Sequence, residues 1–172
     1  MATAASALVV LLTTPLQAAG EEYLFRGYLL QAFGSLFPTR RAELARWVAI
    51  AATAVLFAFA HGAQNFPLFF DRFAFGLIAG WLVTRTGGLE AAIALHVLNN
   101  FLAFGLALSF GDLTETLNVS EASWWNIVLT LTQSLVYAAL VLVVARRMHL
   151  QTHTRPPAGD ADPSPSADLA AA

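Results

Sequence analysis

The chain has 172 residues, of which 58% are hydrophobic and 12% charged, with a formal net charge of −2 and a mean hydropathy of +0.63. A soluble domain carries about 25% charged residues, so an ordinary water-soluble fold is excluded, and the acidic balance argues against a nucleic-acid partner, which would want a basic face. All nine cations are arginine, and the absence of cysteine removes disulfides, thiolate metal ligands and thiol chemistry.

Residues 1–20, 47–70, 91–111 and 122–145 contain no Asp, Glu, Lys or Arg, and each run is about long enough to cross a bilayer core. The pattern predicts an all-α, polytopic transmembrane bundle of about five spanning helices. The first is expected over 4–33, bent at Pro15 and carrying Glu21, Glu22 and Arg26 in its second half. Leu16–Ala19 has the look of a signal-peptide cleavage site, but no positive residue precedes the apolar run as such a signal requires. Pro38-Thr39-Arg40-Arg41 ends the first helix, and a second is expected over 42–61, stopping at Gly62. Pro67 suits the first turn of a third helix, which continues to Thr84 until Gly87-Gly88 breaks it. A fourth helix is expected over 89–110 and a fifth over 123–147. From residue 150 the chain turns to Pro, Ala, Asp and Ser without apolar periodicity, which predicts a disordered tail over 150–172 behind a membrane domain over 1–149.

Alternating five helices collects Arg40, Arg41, Arg46, Arg85, Arg146, Arg147 and Arg155 on one side. The opposite connections hold only Arg72, beside Asp71, and the acidic Asp112, Glu115 and Glu121. The positive-inside rule then places the C-terminus in the cytoplasm. The small size and arginine-only usage suit a multi-pass protein of a bacterial plasma membrane.

Ionisable groups within membrane segments are costly and are functional candidates. Four places qualify: Glu21-Glu22 with Arg26, His61, His96, and Asn99-Asn100. Each also has a purely structural interpretation. Glu22 and Arg26 at i,i+4 can pair along one helix face, a buried histidine is often a packing residue, and asparagine bonds helices together in membranes. Glu21 lies about 100° around the helix from Glu22, with no cation at i+3 or i+4. Counting about 1.5 Å of rise per residue from the basic side puts Glu21 and His61 roughly 21 Å in, His96 roughly 12 Å and Asn100 roughly 18 Å. Polar groups from three helices at similar depth point to one site.

An acid, two histidines and an amide suit hydrolysis by an activated water. A carboxylate beside an imidazole can take a proton from water, while a second imidazole and an amide can donate to a developing oxyanion. No serine or threonine flanks either histidine, which disfavours a covalent nucleophile. Glu21, His61 and His96 could alternatively hold zinc with an open position, although the HExxH spacing is absent.

At these residues the chain resembles a known family. Glu21-Glu22-Tyr-Leu-Phe-Arg26 is similar to EExxxR, Phe57-Ala-Phe-Ala-His61 to FxxxH, and His96-Val-Leu-Asn-Asn100 to HxxxN. In that order they resemble the CAAX-protease and bacteriocin-processing (CPBP, or Abi) family of intramembrane endopeptidases, over about Gly20 to Phe104. The resemblance implies that Glu21 activates water together with His61, that His96 and Asn100 form the oxyanion hole, that Glu22 and Arg26 support the site as an ion pair, and that Phe57 packs beneath it. HxxxN selects Asn100 over Asn99, which is then expected to bond a neighbouring helix. The glutamate mechanism implies no cofactor, with zinc the alternative. The expected partners are the bilayer and a peptide or protein substrate. Family members usually carry further helices before EExxxR, whereas twenty residues precede Glu21 here. Two other functions compete: a non-enzymatic immunity or scaffolding protein of the same fold, and a small transporter with a proton relay. A transporter would show paired repeats, and none is visible.

Overall fold

The computed structural model describes residues 4–62, 64–110, 121–150 and 152, and the described residues are helical with no strand. The first helix, α1, comprises an α-helical stretch Ala4–Glu22, a widened π-helical stretch Tyr23–Leu29 and a final α-helical stretch Leu30–Ser35. A single 3₁₀ turn, Thr39–Arg41, leads into α2, Ala42–Ala60. α3 is Phe66–Thr86, α4 is Glu90–Phe110 and α5 is Trp124–Arg147. All five predicted helices are present, with ends shifted by no more than two residues. The expected tail lies outside the described residues apart from Leu150 and Thr152, as do Asp112 and Glu115.

Local chemistry accounts for the ends. Asn65 caps α3 by accepting from the Leu68 amide at 3.0 Å, with Pro67 in the first turn, where its missing N–H costs nothing. Gly87 closes α3 in the left-handed conformation, φ 77°, which a side chain would resist. Gly62, φ 80°, turns the chain out of α2 in the same way. α2, α3 and the Ile127–Arg147 stretch of α5 are long and apolar enough to cross a membrane, and the apolar part of α4 is shorter, Glu90–Leu106. α1 does not join them by length and composition because Gln17, Glu21, Glu22 and Arg26 interrupt it.

α2 and α3 form an antiparallel hairpin with the most extensive contact in the bundle. Small residues allow it: a Cβ on Gly76 would sit 2.9 Å from both Cα and Cβ of Ala54, and one on Gly80 3.2 Å from Ile50. Close backbone approach of this kind drives helix association in lipid, where apolar burial alone gives little. α5 packs on α3, and the upper part of α1 packs on α4. The core between them is built from Phe25, Phe57, Phe75, Ala79, Leu82, Ala92, Leu95 and Ala138. Tyr137 on α5 donates its hydroxyl to the Ala91 carbonyl at 3.1 Å, fixing the start of α4.

The helices do not start from a common plane, which corrects the depth estimate for His96. Leu89, just before α4, packs on Gly27, in the second half of α1, 3.3 Å from where a Cβ on Gly27 would lie. Six residues separate Gly27 from Glu21 and seven separate Leu89 from His96, roughly 9 and 10 Å of helical rise. Glu21 and His96 therefore arrive at one level.

Candidate active site

Two carboxylates of α1 divide the site between them. Glu22 is fully buried; its Oε1 accepts from Arg26 Nη1 at 2.8 Å and from His96 Nδ1 at 2.8 Å. The predicted Glu22–Arg26 pair is thus present, and it has a third member from α4. Arg26 lies in the π-helical stretch, which widens one turn next to the site, a placement common for such bulges. Its guanidinium carbon lies 4.3 Å from the centre of the Phe57 ring, with Phe25 and Phe75 at 5.9 and 5.8 Å. A charge in this apolar setting is tolerated because Glu22 neutralises it and aromatic faces solvate it.

Phe57 is the floor. Its ring meets His61 at 4.6 Å, His96 at 5.9 Å, Phe25 at 5.2 Å and Phe75 at 5.8 Å between centres. Both imidazoles and the Arg26 guanidinium therefore rest on one aromatic side chain from α2.

Glu21 faces the other way, as its position on the helix requires. Its Oε1 accepts from Gln17 Nε2 at 3.0 Å, one turn earlier on α1. Its Oε2 is buried, makes no hydrogen bond to a described residue, and lies 4.0 Å from His61 Nε2 and 3.8 Å from His96 Nε2. Those separations exceed a direct hydrogen bond and match groups that share one small polar partner.

The tautomers follow from the partners. His61 Nδ1 lies 2.7 Å from the Phe57 carbonyl, and His96 Nδ1 lies 2.8 Å from the Glu22 carboxylate. The Phe57 carbonyl cannot donate, and the Glu22 carboxylate is paired with Arg26, so each imidazole donates from Nδ1. With Nδ1 so engaged, both Nε2 atoms face Glu21 Oε2. A tetrahedral zinc with bonds of about 2.0–2.1 Å would hold two ligand atoms roughly 3.4 Å apart, closer than either separation here. Among the described residues, no three His, Asp or Glu side chains are arranged to hold a metal ion.

Asn100 follows His96 by one turn on α4 and is half-buried, as is Asn99. Neither hydrogen-bonds to a described residue, so among the described residues the expected bond from Asn99 to a neighbouring helix is not seen. Of the predicted site residues, Glu21, Glu22, Arg26, Phe57, His61 and His96 form one contact network, and Asn100 stands beside it.

Three polar residues join this neighbourhood without having been singled out from sequence. Gln17 was findable from its i,i+4 spacing to Glu21. Asn65 precedes a Phe-Pro step, an N-cap signal; it also bridges to the segment before α5, donating to the Ala122 carbonyl at 3.1 Å and accepting from the Ala122 amide at 3.2 Å. Arg72, counted with the opposite connections for the charge balance, lies inside α3, as the helix expected from Pro67 to Thr84 requires, and reaches the α2–α3 turn. Its Nη1 donates to Gln64 Oε1 at 2.6 Å and lies 3.5 Å from the His61 carbonyl.

Comparison with known proteins is consistent with this arrangement. The family model described as type II CAAX prenyl endopeptidase, Rce1-like, matches residues 3–102. That stretch contains every residue of the network around Glu21. The uncharacterized protein YyaK of Bacillus subtilis (strain 168) is 26% identical over 140 residues, covering 77% of this chain and 46% of the relative. The chain thus spans about half the length of that curated relative. No solved structure matches the chain. With more than half of its residues matched by the family model, the chain belongs to the Rce1-like family of type II CAAX prenyl endopeptidases.

Proposed function

We propose that the chain is an intramembrane endopeptidase that hydrolyses a peptide bond of a membrane-associated, CaaX-like substrate, using water activated by Glu21 and His61. The supporting observation is the approach of Glu21 Oε2 to two histidine Nε2 atoms whose rings are already oriented through Nδ1. A water between Glu21 Oε2 and His61 Nε2 would donate to both acceptors, leaving its lone pair for the scissile carbonyl carbon. As the C–O bond forms, Glu21 takes the water proton; as the C–N bond breaks, the same proton passes to the leaving nitrogen. The Asn100 amide donates to the oxyanion. His96 joins it through Nε2 only when both ring nitrogens carry protons, with Glu22 holding the Nδ1 proton.

The test is hydrolysis of a prenylated CaaX peptide by purified protein in lipid nanodiscs. Glu21→Gln keeps the shape and removes the base, so turnover should fall by about 10²–10⁴-fold. Chelator should leave the wild-type rate unchanged. A wild-type rate in Glu21→Gln would remove Glu21 from the mechanism, and loss on chelation restored by stoichiometric zinc would convert the assignment to a metal-dependent one.

A further inference from the structure

Arg72 is a cation that the proposed hydrolytic mechanism does not use. It sits in the second turn of a membrane-crossing helix, where a charge is costly and usually marks a ligand or a partner. Arg26 has Glu22 and Arg46 has Glu43, but among the described residues no carboxylate lies within ion-pair distance of Arg72. Its sequence neighbour Asp71 is engaged with Thr130 of α5. One of its nitrogens is taken up by Gln64 and the His61 carbonyl, which leaves most of a five-donor guanidinium for something else.

We propose that Arg72 forms a subsite for the free C-terminal carboxylate of the substrate. The inference rests on the endopeptidase assignment and adds to it the residue that recognises the end of the peptide. Distance supports the placement. Arg72 reaches the His61 carbonyl, so one histidine side chain separates the guanidinium from the Nε2 atom that lies 4.0 Å from Glu21 Oε2. Three extended residues span roughly 10 Å, the scale of that path. Electrostatics requires a cation here as well. Arg26 is consumed by Glu22 in the buried pair, which leaves Asp71 and Glu21 to repel an incoming carboxylate; Arg72 interacts with Asp71 first and with Glu21 second, and offsets both. A guanidinium also matches a carboxylate with two parallel hydrogen bonds, giving orientation as well as attraction. Gln64 holds the other side of the fork: it accepts from Arg72 and donates to the Ala58 carbonyl at 2.7 Å.

The experiment compares a prenylated CaaX peptide bearing a free C-terminal carboxylate with its C-terminal amide. On the wild-type protein the amide should raise KM by roughly 10–100-fold, the range for losing a charged hydrogen-bonded contact, with a smaller change in kcat. In Arg72→Gln the acid-to-amide ratio should collapse toward one, and Arg72→Lys should restore part of it. An unchanged ratio in Arg72→Gln, with both peptides slowed alike, would make Arg72 an anchor of the α2–α3 turn and overturn the subsite. Because the variant could disturb that turn, the peptide comparison on unmodified protein stands by itself: equal KM for acid and amide refutes the proposal. Equilibrium binding of both peptides to Glu21→Gln separates this inference from the one beneath it. Tighter binding of the acid without any wild-type cleavage would keep the subsite and discard the endopeptidase assignment, whereas equal binding would discard the subsite.

Discussion

Glu21 and Glu22 are adjacent in sequence and identical in chemistry, yet their surroundings assign them different work. Glu22 accepts from Arg26 and His96 in a buried network, while Glu21 keeps one oxygen toward Gln17 and turns the other toward both histidines. Glu22→Gln would leave the Arg26 charge buried without its counter-ion, which typically costs about 3–5 kcal/mol. Thermal unfolding in detergent should show this loss, and removing both charges in Glu22→Gln/Arg26→Met should recover most of it without recovering hydrolysis. A similar contrast applies to the paired asparagines. On the proposed mechanism Asn100→Ala lowers kcat by roughly 10²–10³ with little change in KM, as expected for a donor used mainly in the transition state. Asn99→Ala should leave both constants near wild type, since no hydrogen bond to a described residue is lost. Kinetics of both variants at matched folded fraction check the assignment, and a kcat collapse in Asn99→Ala alone would overturn it.

At the level of elements, the α2–α3 hairpin determines whether the site exists. Phe57 and His61 stand at one end of α2, and Gly76 lets α3 approach closely enough for Phe75 to stack on Phe57 at 5.8 Å and meet His96 at 5.1 Å. A Cβ on Gly76 would also lie 3.4 Å from Arg26 Nη2, so the same glycine makes room for the ion pair. Gly76→Val should therefore destabilise the protein by about 1–3 kcal/mol through overpacking. Ala54→Gly should rescue only part of this, because the clash is with the Ala54 backbone as well as its methyl group. Thermal unfolding of the single and double variants measures the difference; full rescue would place the clash on the side chain alone.

Across the whole molecule, arginine is polarised. Arg40, Arg41, Arg85, Arg146 and Arg147 lie at one end of the hairpin and α5, and the turn that carries His61 lies at the other. We infer from the positive-inside rule that the arginine end and the C-terminus are cytoplasmic in a bacterial plasma membrane. A reporter active only in the cytoplasm, fused after residue 172, should then be active, and one active only outside should be silent. The reverse outcome would invert the orientation and bring the α2–α3 turn to the cytoplasmic side.

Much of this was legible in the chain because lipid imposes strict rules on sequence. Long apolar stretches, broken at Pro38, Gly62 and Gly87-Gly88, locate the helices, since every backbone group in hydrocarbon must bond within its own segment. Glu21, Glu22, Arg26, His61 and His96 stood out for the same reason: each is expensive in an apolar helix. The sequence could not show how far each helix is offset along its neighbours. Uniform rise placed His96 about 9 Å short of Glu21, and only the packing of Leu89 on Gly27 brings them level. Nor could it show that Arg72 leans back over the α2–α3 turn, or that His96 reaches across to Glu22, 74 residues earlier. Helix periodicity determines what lies on one face of one helix. Which faces meet, and at what height, depends on side-chain packing between helices, and that was decided only in the tertiary structure.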